Sequence, residues 1–118
     1  MNDREILKSI LEIIDGLKYG ETISIEELIE KTNIEEKMVM KELMLALKFR
    51  ILYIEGKQWF GDAPKLEKHN RIASLECDGI VILDLLRNPE LLKQIFSNYP
   101  ELSNCNIYTI FYFFRRYF

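Results

Sequence analysis

Apolar residues recur every three to four positions at the start of the chain, at Ile6, Leu7, Ile10, Leu11, Ile14 and Leu17. That spacing predicts a helix from about Asp3 to Lys18 with one face turned to a core. Asn2, three residues before Glu5, has the form of a capping box, and Gly16 and Gly20 mark the helix end. Glu21-Thr22-Ile23-Ser24 is short and β-branched and reads as a brief strand. Ser24 with Glu27 forms a second box, opening a short helix with Ile25, Leu28 and Ile29 on its apolar side. Asn33 with Glu36 forms a third, opening a helix from about Ile34 to Lys48 whose core face is Val39, Leu43 and Leu47. Helices joined by so few residues must cross steeply. Next come the apolar run Ile51 to Ile54, the polar turn Glu55-Gly56-Lys57-Gln58 and the aromatic pair Trp59-Phe60, a predicted hairpin.

Past Asp62 the pattern changes. Ala63-Pro64 makes a break, and Leu66, Ile72, Ala73, Leu75, Ile80, Leu83 and Leu86 fit a long helix from about Lys65 to Arg87, which Asp78-Gly79 weakens. Asn88-Pro89 opens a further short helix through Asn98, with proline at its first position, and Tyr99-Pro100 ends it. In the tail, Ile107, Ile110, Phe111, Phe114 and Phe118 share one helical stripe while Tyr108, Tyr112 and Phe113 lie off it. Such density of aromatic side chains exceeds what a single face can bury, so the stripe is expected either to complete the core or to pair two copies of the chain.

The order helix, strand, helix, turn, helix, hairpin resembles the winged-helix (winged helix-turn-helix) family over roughly residues 3–62. The resemblance implies a mainly α fold with a small β-hairpin, a winged-helix module at 1–62 and a C-terminal helical extension at 63–118 that packs on it or forms a dimer interface. In that family a glycine commonly follows the third helix, and here Leu47-Lys48-Phe49-Arg50-Ile51-Leu52 occupies the place without one. Phe49 or Arg50 must then close the helix without glycine's easy access to left-handed backbone. The resemblance also implies a third helix that enters the major groove of DNA and a wing that touches its backbone. Lys37, Lys41, Met44 and Lys48 fall within an arc of roughly 60° opposite the core face, and Lys57 in the wing turn adds one more cation.

Charge weakens that expectation. Of the net charge of −3, residues 1–62 carry nine basic against thirteen acidic side chains and the remainder seven against six. An acidic module with about four or five usable cations binds a polyanion weakly and loses affinity steeply with salt. The middle of the third helix also lacks Asn, Gln and Arg, the side chains that read adenine and guanine in pairs of hydrogen bonds. Met40 and Met44 beside the lysines suit a protein surface as well as a groove. Two readings therefore stand: a DNA-binding regulator acting as a homodimer, and an adaptor that binds a protein partner inside a larger assembly.

The candidate chemistry excludes more than it supports. With 48% hydrophobic and 30% charged residues the chain is expected to fold alone. His69 is the one histidine and is read as a helix-surface residue, and Cys77 and Cys105 lack metal or redox spacing and read as buried reduced thiols. No phosphate loop, nucleophile elbow or HExxH occurs, so no enzyme activity, cofactor, metal or small-molecule substrate is expected. The carboxylate pairs Glu26/Glu27 and Glu35/Glu36 sit at helix starts, where the helix dipole explains them. No apolar stretch reaches the ~20 residues a membrane span needs, and the charged N-terminus is unlike a signal peptide, so a cytoplasmic location is expected.

Overall fold

A computed structural model describes residues 1–117. Helix α1 runs Asp3–Asp15 and buries Ile6, Leu7, Ile10, Leu11 and Ile14, the face that the periodicity marks. Asn2 caps it by accepting from the Glu5 backbone N–H at 2.9 Å. Strand β1, Ile23–Ser24, leads directly into α2, Ile25–Thr32. Here the capping box is complete: Ser24 Oγ accepts from the Glu27 N–H at 3.1 Å, and Glu27 Oε1 accepts from the Ser24 N–H and hydroxyl. These bonds, with Arg71 beside it, hold the Glu27 carboxyl below its usual range.

Asn33 does not open the next helix. It closes α2 in left-handed backbone at φ 53°, a role in which asparagine substitutes for glycine. Helix α3 begins later, at Glu36–Lys48, with Glu35 making no side-chain cap, and buries Val39, Glu42, Leu43, Ala46 and Leu47. At its far end Arg50 takes φ 56°, so the left-handed position after the third helix is filled by arginine.

The hairpin differs from the expected one. Strand β2 is Leu52–Ile54, but its partner is β3 at Arg71–Leu75, not Trp59-Phe60. β3 is the central strand of a three-stranded antiparallel sheet ordered β1-β3-β2, pairing Ile23 with Ile72 on one side and Leu52 with Leu75 on the other. Of the stretch predicted as helix from Lys65, residues 65–70 are coil and turn and Arg71–Leu75 is strand, and the boundary drawn at 62 falls inside the β2–β3 connection. The helical reading failed because Ile72, Ala73 and Leu75 satisfy both periods, and the choice is made by pairing with a strand ~50 residues away. Arg71 fastens that pairing, donating from Nε to Thr22 Oγ1 at 2.9 Å, from Nη2 to the Thr22 carbonyl at 3.0 Å and from Nη1 to Glu27 at 3.2 Å.

Helix α4, Cys77–Leu86, starts at the dipeptide expected to weaken it. Gly79 lies in its first turn, buried against the β2 approach, and a Cβ there would collide with the Ile51 carbonyl oxygen. That carbonyl also accepts from the Glu76 N–H at 2.9 Å. Helix α5, Pro89–Asn98, has proline in its first turn and the Asn88 side chain capping Leu91, as its sequence predicts. A 3-10 turn, Pro100–Asn104, leads to α6, Ile107–Tyr117. The fold is mainly α with a small sheet, and one continuous core runs from Ile6 to Phe111. Among the described residues no helix is long and apolar enough to cross a membrane.

Candidate functional site

The outer face of α3 separates from the core as its periodicity predicts. Val39, Leu43 and Leu47 are buried while Lys37, Lys41 and Lys48 are exposed. Met44 is only partly exposed and, like Met40, packs against the core, so it is a boundary residue between the lysines and the interior. Lys37 and Lys48 lie eleven residues apart, roughly 16 Å along the helix axis. The lysines differ in their surroundings. Lys41 Nζ stands 3.8 Å from Asp3 Oδ2, whereas Lys37, Lys48, Arg50 and Lys57 have no carboxylate at ion-pair distance among the described residues.

Three of these cations converge where α3 meets the β2–β3 connection. Lys48 Nζ lies 5.6 Å from the Trp59 ring centroid and 5.9 Å from that of Phe49. Arg50, Tyr53, Lys57, Trp59, Phe60 and the carboxylate Glu76 line a depression of about 340 Å³ beside it. Phe60 is 77% exposed, and the Trp59 indole N–H is turned to the Gly61 carbonyl at 3.1 Å. Lys57 is half-buried, its backbone N–H donating to the Ile54 carbonyl at 3.1 Å, which closes the turn after β2. Cations held beside flat aromatic faces offer phosphate contacts and stacking surfaces together. Arg50, Trp59 and Phe60 are additions to the sequence-predicted set. The signal for Arg50 was the missing glycine after α3; Trp59 and Phe60 read as a strand in the sequence, and only the path of the β2–β3 connection brings them here.

The aromatic tail lies elsewhere. Ile107, Ile110 and Phe111 are buried within this single chain, and Phe114 packs partly against the same core. Phe118 lies outside the described residues. Tyr108, which the stripe leaves out, is also buried, because its ring stacks on Phe49 of the α3 end at 4.5 Å, while Phe111 and Phe114 face the groove lined by α4 and α5. More than one side of α6 is therefore covered within one chain.

Elsewhere, Cys77 is exposed and Cys105 half-buried, both free, so the buried-thiol expectation fails for Cys77. It sits at the solvent side of the α4 start. His69 occupies a turn rather than a helix, 3.4 Å from Glu67. Among the described residues no group of three or more His, Cys, Asp and Glu side chains is placed to hold a metal ion. In comparisons with known proteins, no family model matches the chain, no curated protein matches it and no solved structure matches it.

Proposed function

We propose that the chain is a winged-helix protein that binds double-stranded DNA in the cytoplasm, with the outer face of α3 at the major groove and the β2–β3 connection as the wing on the backbone. The element order and a sheet ordered β1-β3-β2 support the family reading. The observation that carries the function is the convergence of Lys48, Arg50 and Lys57 around Trp59, none of them at ion-pair distance from a carboxylate among the described residues, although Glu76 lines the same depression. Arg50 adds a physical argument. Left-handed backbone costs a non-glycine residue about 1 kcal/mol or more, and such strain persists at positions where the side chain has a use. Here an arginine side chain stands where glycine would close the helix more cheaply.

With four or five phosphate contacts, the logarithm of affinity falls with that of salt at a slope near −4, and base preference is weak because the α3 face offers lysines and a half-buried methionine. Binding of a labelled duplex across a salt series tests the reading, with a Lys37/Lys41/Lys48 triple glutamate variant beside the wild type. The expected outcome is a clear negative slope and at least about a hundredfold weaker binding by the variant at low salt. If the wild type fails to bind at low salt, or the variant binds as well as wild type, the DNA reading is wrong.

A second reading rests on a different surface. Val81 of α4 is about half exposed, and with Leu85, Leu91, Ile95, Phe111 and Phe114 it lines a groove of about 620 Å³ between α4, α5 and α6, rimmed by Asp78, Asp84, Asn88 and Arg115. Contiguous exposed apolar surface favours a protein partner, and a second copy of the chain is the partner proposed, because a dimer doubles the phosphate contacts. Light scattering decides it: a monomer at tens of micromolar rules out a second copy as the occupant of this groove.

A further inference from the structure

The depression where α3 meets the β2–β3 connection holds more than phosphate contacts require. Three aromatic rings line it, those of Tyr53, Trp59 and Phe60. Phe60 is 77% exposed and Tyr53 42%. Among the described residues none of the three stacks on another ring, whereas Phe49, Tyr108 and the aromatic side chains of α6 pair with one another. Single exposed apolar side chains are ordinary on a protein surface, but rings gathered at one place mark a contact.

The connection that carries Trp59 and Phe60 is held in shape by two tight turns. Ile54 pairs with Lys57 and Phe60 with Asp62, and Gly56 at φ 73° and Gly61 at φ 76° supply the left-handed positions. The Trp59 indole N–H is engaged by the Gly61 carbonyl at 3.1 Å, so the side chain offers a ligand ring surface and no donor. Around the rings stand Lys48, Arg50 and Lys57, and Glu76 lines the same depression. Glu55 lines a different one, with Lys18 and Tyr19. Three cations against one carboxylate attract a polyanion, yet a phosphate inside the depression would meet Glu76. A carboxylate instead accepts from an exocyclic amino group, as it does from cytosine, so Glu76 suits the edge of a base and the cations suit the phosphates on either side.

Within a duplex every base is stacked on both faces and shows only its edges in the grooves. A protein ring meets a base face only where the base has left the stack. We propose that this depression takes an unpaired base, so that the preferred ligand is DNA with a junction between duplex and single strand rather than continuous duplex. The inference rests on the reading of the chain as a DNA binder. The α3 lysines hold the duplex, the unpaired base stacks on Phe60 beside Trp59, and Arg50 and Lys57 take the flanking phosphates.

The test compares three labelled DNAs at low salt by fluorescence anisotropy: a blunt duplex, the same duplex with a short single-stranded overhang at either end, and the single strand alone. Overhang DNA should bind at least about tenfold more tightly than either of the others, the effect of stacking one base on an aromatic side chain added to the duplex contacts. Phe60→Ala, a change at an exposed position, should bring the overhang DNA to the level of the blunt duplex and leave blunt-duplex binding unaltered. Trp59, the single tryptophan of the chain, should lose more fluorescence on saturation with overhang DNA than with blunt duplex. Equal affinity for blunt and overhang DNA, or an equal loss on both in Phe60→Ala, overturns the proposal and leaves duplex binding standing. Single strand bound as tightly as overhang DNA overturns the junction. Failure of all three DNAs to bind removes the DNA reading itself.

Discussion

On its outer side α3 holds Lys37, Lys41 and Lys48 in water, where a charge costs almost nothing, whereas on its inner side, one to six residues away in sequence, the same helix carries Glu42 into the interior. Apart from the Lys41–Asp3 pair, the fold asks little of these exposed lysines. The buried carboxyl is different. Its burial opposes folding whenever it is charged.

The largest effect expected from breaking this contrast comes from Glu42→Gln. Free glutamate titrates near 4.5, and burial with the Asp3 carboxylate pushes the folded group up to about 7, so the unfolded chain releases its proton first as pH rises. Wild-type stability should therefore be full below about pH 4.5, fall between there and about pH 7, and stay lowered above, by up to about 3 kcal/mol from the pKa difference. The glutamine variant should match the wild type in acid and exceed it at pH 8 in urea denaturation. A stability difference independent of pH would show that Glu42 is not a raised acid.

Tyr108→Phe removes a buried hydroxyl that has no hydrogen-bond partner among the described residues and keeps the ring stacked on Phe49. Its stability should rise by about 1 kcal/mol or stay level, where loss of a satisfied hydroxyl would lower it by a similar amount. On the outer side, Arg50→Gly should gain about 0.5–1 kcal/mol by relieving left-handed backbone, while duplex binding falls several-fold from the loss of one cation. A variant that is more stable and binds equally well would remove Arg50 from the surface proposed for DNA. Lys37→Ala should change stability by no more than about 0.5 kcal/mol by thermal denaturation, since nothing in the fold rests on its charge.

What could be read in advance follows the range of the interactions. α1, α2 and α5 were legible because their caps and periodicity are local: Asn2, Ser24 and Asn88 each bond a backbone N–H three residues on. β3 was not, because Ile72 becomes a strand residue only by meeting Ile23 and Ile54. The lysine arc was legible because exposure needs only a helical period, while the cluster of Arg50 and Trp59 needed the path of a connection whose strand had been misplaced. Glu42 had a visible signal, three residues after Val39 and four before Ala46 on the core side of the helix. Residue type points the other way, because carboxylates are rarely buried. Tyr108 needed the docking of α6 against Phe49, a contact between residues nearly sixty apart in sequence.

Gly79 carries a consequence for how the molecule comes apart. Its missing side chain lets α4 sit on the Ile51 carbonyl, and Glu76 donates to the same oxygen, so the stretch between α3 and β2 is shared by both halves of the chain. Opening one half uncovers the other. The C-terminal helices are in this sense part of the folding unit, and slow-exchanging amides should be distributed across β2 and α4 alike, with one unfolding free energy for both.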